Sequence, residues 1–153
     1  MGRRTFYEAF REVNTEENMA LFLRTQFQES VIAGEMEEAG AVFWLAYFDD
    51  IPIGFTKTRT GYEPPELEGA RSLEVERIYV LREHQDKRAG SFMMTHNIDY
   101  ARQLGFDVIW LGVWEENAQA IRFYERHGFS AFGDHIFVVG TDPQRDILMK
   151  KDI

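Results

Sequence analysis

The chain has 153 residues, 44% hydrophobic and 14% aromatic, with a formal net charge of −9 and no cysteine. That length and apolar content suit one folded domain spanning 1–153 and exclude general disorder. The lack of cysteine excludes disulfides, thiolate-ligated zinc and a cysteine nucleophile. The acidic balance speaks against a nucleic-acid partner and suits either a cationic acceptor or solubility alone.

The opening Met1–Phe6 has no apolar stretch of the kind a secretory leader needs. The longest apolar run, Ala41–Phe48, is far too short to span a bilayer. A soluble, cytoplasmic protein with no membrane partner is expected. The four histidines, His84, His96, His127 and His135, lack metal-binding spacing of the HExxH type, so no metal site is expected.

Taken in chain order, Asn14-Thr15-Glu16-Glu17 reads as a helix start, with Asn14 or Thr15 as cap and acids in the first turn. That helix reaches about Phe27, and a shorter one follows to about Glu38. Ala41–Phe48 reads as a strand, Asp49-Asp50 as a turn and Ile53–Arg59 as the returning strand of a hairpin. Residues 60–72, with Pro64-Pro65, form a loop. Leu73–Leu81 is β-rich but alternates weakly. Gly90–Leu104 is helical and ends at Gly105, Asp107–Val113 is a strand, and Asn117–His127 is a helix that stops at Gly128. Ser130–Val139 and Arg145–Lys150 close the chain as strands. The order predicts an α/β fold with a mixed sheet and a parallel crossover within it.

Two segments carry chemistry. In the first, the strand Ile78-Tyr79-Val80 runs through Gln85-Asp86-Lys87-Arg88-Ala89-Gly90-Ser91 into a helix. A helix N-terminus has free N–H groups and a partial positive charge, and so suits a pyrophosphate. An ordinary strand-to-helix turn with solvated basic residues reads equally well. In the second, Asn117 opens a helix that carries Phe123-Tyr124-Glu125-Arg126-His127-Gly128-Phe129. Asn117 alone could be only an N-cap, and Tyr124 only a core aromatic.

The two segments together, in this order and at this separation, resemble the GNAT (Gcn5-related) N-acetyltransferase family. Gln85 and Gly90 match that family's Q/R-x-x-G-x-G/A element, whereas Arg88 stands where the family usually has glycine. Asn117 and Phe123–Phe129 match its second element. Within the family the chain is similar to bacterial spermidine/spermine acetyltransferases, at Thr5–Met19, Ser72–Tyr79, Leu111–Glu115 and Gly140–Asp146. The resemblance implies a GNAT-type fold whose first family strand is missing ahead of Thr5, so that Ala41–Phe48 would lie at a sheet edge. A second copy in a homodimer, or failing that the chain's own N-terminal segment, is expected to cover that edge.

The resemblance further implies acetyl-CoA as co-substrate. Its pantetheine arm would lie along Ile78, Tyr79 and Val80, and its pyrophosphate on Gln85, Asp86, Lys87, Arg88, Ala89, Gly90 and Ser91. Asn117 would hold the arm, and Tyr124 would protonate the leaving sulfur. Arg88 is expected to keep a helical-turn or β backbone and to add charge to the phosphate site. Glu76 and Glu74 fall on one strand face by period-two alternation. There Glu76 would act as general base and Glu74 would bind the acceptor, unless both merely satisfy Arg77 or Arg82. With no Ser-His-Asp or Cys-His arrangement apparent, direct attack by a primary amine is expected, a polyamine-like small molecule being favoured. Transfer to a peptide or protein amine, a non-catalytic acyl-CoA sensor and a ligand-free structural domain stay open.

Overall fold

The computed structural model describes residues 1–153. Three helices, α1 (Gly2–Phe10), α2 (Glu16–Gln26) and α3 (Glu29–Glu37), precede the sheet. The strands are β1 (Val42–Phe48), β2 (Ile51–Arg59), β3 (Ser72–Val80), β4 (Val108–Trp114), β5 (Ser130–Val139) and β6 (Asp142–Asp152). Helix α4 (Ala89–Gln103) links β3 to β4, and α5 (Ala118–Arg126) links β4 to β5. The strand order is β1-β2-β3-β4-β6-β5, antiparallel except for β3 and β4.

The α4–α5 face of the sheet holds the largest core. Leu73 and Val75 of β3 and Ile109, Leu111 and Val113 of β4 pack against Met94, Ile98 and Ala101 of α4 and against Phe129. A buried polar contact pins the same helix. Asn97, fully buried, donates from Nδ2 to Thr56 Oγ1 (2.9 Å), which in turn donates to the Arg77 carbonyl (2.9 Å). On the opposite face α1 and α2 form an aromatic cluster of Phe6, Phe22 and Phe27 that reaches Tyr79 of β3 and Phe137 of β5. Asn18 Oδ1 accepts from the Thr141 backbone N–H (3.1 Å), and Gln144 donates to Asn14 Oδ1 (2.7 Å). The two N-terminal helices are thereby tied to the β5–β6 hairpin. Thr15 is the cap of α2, its hydroxyl accepting from the Asn18 N–H, whereas Asn14 donates back to the Phe10 carbonyl and caps nothing.

The weak alternation of Leu73–Leu81 has a cause. Lys57 pairs with Arg77 but Thr58 pairs with Val75, so Glu76 is the extra residue of a β-bulge. Leu73 and Val75 point toward α4 before the bulge, and Ile78 and Val80 do so after it. The bulge also coincides with a separation of strands. Parallel pairing covers only Ser72–Val108, Leu73–Ile109 and Glu74–Trp110, although β3 continues to Val80 and β4 to Trp114. Beyond Glu74 the two strands stay attached to β2 and β6 respectively and part from each other. The result is a fork of unpaired backbone at the carboxyl ends of the two parallel strands, where α/β sheets characteristically bind ligands.

β1 is an edge strand, as expected, and Leu45, Tyr47 and Phe48 are exposed. The N-terminal segment does not fold back over that edge. Its helix α1 lies on the face of the sheet, with the apolar stripe carrying Phe6 against Tyr79.

Helix α5 ends in a Schellman motif. The Phe129 N–H bonds to the Tyr124 carbonyl (3.1 Å) and the Gly128 N–H to the Glu125 carbonyl (3.0 Å), with Gly128 at φ +88°. The hydrophobic contact of that motif is Phe129 against Tyr124, with ring centroids 6.1 Å apart. The Phe-Tyr-x-x-x-Gly-Phe run is therefore a helix stop that fixes the Tyr124 ring. Gly128→Ala should destabilise the fold by about 1–2 kcal/mol through left-handed backbone strain. Thermal unfolding should register that as a drop of about 3–6 °C.

Candidate active site

One wall of the fork is the turn between β3 and α4. A 3₁₀ turn (Arg82–Lys87) leads to Arg88, and α4 begins at Ala89 with no side chain capping it. The first backbone bond of α4 runs from the Phe92 N–H to the Arg88 carbonyl (3.0 Å). The N–H groups of Ala89, Gly90 and Ser91 therefore precede the helix's own bonding ladder, as an anion site requires. Gln85 donates from its amide to the Val80 carbonyl (3.3 Å) and so closes the turn on itself. Asp86, Lys87 and Arg88 are exposed, and the Lys87 ammonium lies 4.4 Å from the Phe48 ring centroid.

Arg88 departs from the expected backbone. It sits in the left-handed region at φ 56° and ψ 18°. The chain changes axis here between a 3₁₀ turn and an α-helix, and a left-handed residue makes that change. The glycine usual in the family does so without cost, whereas an arginine bears about 1–2 kcal/mol of strain. Such strain is characteristic of functional sites.

Helix α5 forms the other wall. Asn117 caps it, Oδ1 accepting from the Ala120 N–H (3.1 Å), which leaves the Nδ2 amide protons unused by the cap. A methyl group placed on Gly90 would lie 3.5 Å from Phe123 Cζ and 4.0 Å from Val80 Cγ2, so α5, the start of α4 and the end of β3 meet at one point. Tyr124, next along, is half-buried against the main core. Burial holds its phenol well above the ordinary tyrosine range, and Tyr79 and Asp146 push it the same way. Burial likewise raises Tyr79, to about 12. Both phenols stay protonated at neutral pH. The structure thus brings Ile78, Tyr79, Val80, Gly90, Asn117 and Tyr124 around the fork.

On the far side of the sheet lies a network of charges that alternation alone did not reveal. Lys57, only 1% exposed, contacts Glu76 (2.5 Å), Glu35 (3.2 Å) and Glu38 (3.9 Å). Arg77 makes a two-pronged bond to Glu35 (2.7 and 2.9 Å), and the two cations hold the Glu35 carboxyl below its usual range despite its burial. Arg59 bonds to Glu74 (2.6 Å) and contacts Glu76 (3.2 Å). The two glutamates do share a face, and Arg59 joins them, not Arg82, whose backbone N–H donates to Glu8. Glu76 also lies 3.8 Å from Arg77. Lys57 could have been noticed in the sequence. A lysine in phase with Phe55 on a central strand points inward and needs buried partners.

Glu74 opens onto a cavity of about 520 Å³ at the base of the fork, lined also by Arg59, Tyr62, Glu66, Trp110, Asp134 and His135 among others. Burial pushes the Glu74 carboxyl up, against the opposing pull of Arg59. His135 lies 3.5 Å from Asp146, and that carboxylate, with Glu74 and Asp134, raises the imidazole above its ordinary value. Three carboxylates against one guanidinium and one imidazole leave the cavity with a negative character suited to a cation.

Arg88 yields two separable expectations. Arg88→Ala keeps the left-handed strain and removes the charge, so CoA should bind about 3–10-fold more weakly at low salt, with the difference shrinking at high salt. Arg88→Gly should weaken CoA similarly while leaving stability unchanged or raising it by up to about 1 kcal/mol. Calorimetric titration and thermal unfolding of the two variants check both.

Comparison with known proteins agrees with this geometry. Residues 3–129 match the model of the acetyltransferase (GNAT) family. An uncharacterized N-acetyltransferase encoded in the pepI 3′ region of Lactobacillus delbrueckii subsp. lactis is 34% identical over 151 residues, covering 99% of this chain and 87% of that protein. A streptothricin acetyltransferase of Streptomyces lavendulae is 41% identical over 70 residues, 45% of this chain and 37% of that protein. The crystal structure of the PaiA N-acetyltransferase of Thermoplasma acidophilum, in complex with coenzyme A, superimposes with a TM-score of 0.80 at 19% identity, covering 99% of this chain and 87% of that one. The forked sheet, the uncapped helix at its mouth and these matches lead to one conclusion: the chain belongs to the GNAT family and is an acetyl-CoA-dependent N-acetyltransferase.

Proposed function

We propose that the protein transfers the acetyl group to a primary amine of a cationic small molecule, with polyamine-like acceptors favoured, by direct attack within a ternary complex. The observation that carries this is the acidic cavity at the base of the fork, on the sheet face opposite α4 and α5. Acetyl-CoA, the co-substrate, supplies the reactive thioester. The side of Ile78–Val80 that β4 leaves without a strand partner holds its arm as an added strand would, with the free Asn117 amide beside it. The uncapped start of α4, with Lys87 and Arg88, binds its phosphates. Glu74 attracts the acceptor's ammonium groups, while Glu76 keeps Lys57 and Arg59 in place behind it. Tyr124, kept protonated by burial, gives its proton to the leaving sulfur.

Thiol release from acetyl-CoA across a panel of polyamines, monoamines and peptides tests the reading. Triamines should exceed monoamines in kcat/KM, most of all at low salt, and a peptide preference would refute it. Tyr124→Phe keeps the ring packing and should lower kcat by about 10²-fold. The exposed edge of β1 suits a second copy of the chain, and light scattering at micromolar concentration should then give twice the monomer mass.

A further inference from the structure

Neither glutamate of β3 is placed to remove the ammonium proton. Glu76 is committed to Lys57, Arg59 and Arg77, and it does not line the cavity. Glu74 lines it but is tied to Arg59 through both oxygens. His135 differs from both. It lines the same cavity, its side chain is 45% exposed, and its one charged partner is a carboxylate rather than a cation.

It stands over Gly112. Strand β4 carries Gly112 two residues past the last β3–β4 pair, on the parted section of the fork. A side chain there would lie 3.3 Å from Asp146 Oδ2 and 3.5 Å from His135 Nε2. The imidazole and its carboxylate therefore stand directly over the Gly112 backbone. Asp146 faces Gly112 and His135 on this side, and is also close enough to influence Tyr124, which approaches the fork from α5. The two residues therefore flank the parted strands from opposite faces.

We infer that His135, held by Asp146 over Gly112, is the proton acceptor for the attacking amine, and that Asp146 is its positioning residue. This rests on the transferase reading above. The Asp146 carboxylate, 3.5 Å from Nε2, favours the proton on that nitrogen and leaves the lone pair on Nδ1. Nδ1 accepts one proton from the acceptor's ammonium, and the freed amine lone pair forms the C–N bond to the acetyl carbon. As the C–S bond breaks, the Tyr124 proton goes to sulfur. The second proton shed by the new amide nitrogen restores the phenol, and His135 returns its own to solvent. Around His135 stand Asp146 of β6, Asp134 of its own strand, Glu74 of β3 and Arg59 of β2, with Tyr62 and Glu66 from the loop across the cavity. The carboxylates among them favour the imidazolium, so the rate should rise with pH through an ionisation above that of an ordinary histidine.

The test is the pH profile of kcat for thiol release with saturating amine and acetyl-CoA. His135→Gln should abolish the low-pH limb and lower kcat by about 10²-fold, while the CoA-induced thermal shift stays at its wild-type size because CoA binds on the other face. Asp146→Asn should retain the limb but move it to lower pH, since the carboxylate that raises the imidazole is gone. A wild-type limb persisting in His135→Gln overturns the assignment. So does an Asp146→Asn profile with an unmoved limb, which also decides the matter should His135→Gln fail to fold. Absence of amine-dependent thiol release from the wild type would instead refute the transferase reading, and the proposal with it.

Discussion

The extra residue at Glu76 is the constraint on which the rest of the site depends. A β-strand paired on both sides has no backbone left for a ligand, and β3 is flanked by β2 and β4. The bulge changes the direction of β3 after Val75, as bulges do by increasing local twist, and the parallel ladder to β4 ends at Glu74. Six residues of β3 are then held from one side only. The same shift turns Ile78 and Val80 toward α4 and leaves Arg77 and Tyr79 on the opposite face. One inserted residue thus creates the fork, supplies its unpaired edge and decides which side chains line it.

A bulge in a central strand must be stabilised by its surroundings. Here polar groups do so on both faces. On the α4 side Thr56 donates to the Arg77 carbonyl and is itself bonded by the buried Asn97. On the other side the bulged Glu76 meets Lys57 and Arg59, and Arg77 is clamped by Glu35 of α3. Buried ion pairs of this kind add little net stability, because desolvating the charges offsets most of their attraction. Removing one partner is a different matter, since the other is left uncompensated. The network therefore serves better as a specification of the bulge's geometry, and of where α3 docks, than as a source of stability.

The fork divides the labour of the enzyme between two faces. The α4–α5 face offers helix termini, Lys87 and Arg88 to an anion. The opposite face offers Glu74, Glu66 and Asp134 to a cation. The chain's overall charge of −9 favours the second and opposes the first. In the proposed reading, a local arrangement of backbone N–H groups and two basic side chains holds the phosphates against that field. This gives a reason for an arginine to occupy a left-handed position where glycine would fit more easily.

Much of this was legible in the sequence, because it depends on neighbours along the chain. Helix stops at Gly105 and Gly128, a cap at Asn14 or Thr15, the period of α4 and α5 and the β-rich runs are local, and those elements formed where their own residues favoured them, whereas α1 was not read as a helix of its own. The Phe-Tyr-x-x-x-Gly-Phe run was readable for the same reason, since a Schellman motif is built from consecutive residues. Alternation along β3 was only half informative. It correctly placed Glu74 and Glu76 on one face, but the bulge behind its weakness depends on the register against β2. The left-handed Arg88 could not be read either, because its conformation is imposed by the axes of the elements on either side. The pairing of Lys57 with Glu35, Glu38 and Glu76, and of His135 with Asp146, joins residues from separate elements that only the sheet order makes neighbours. The sequence by itself determined the elements, their order and the family to which they belong. Tertiary structure alone decided where the strands part and which charges face the opening, because those depend on register and packing between segments distant along the chain.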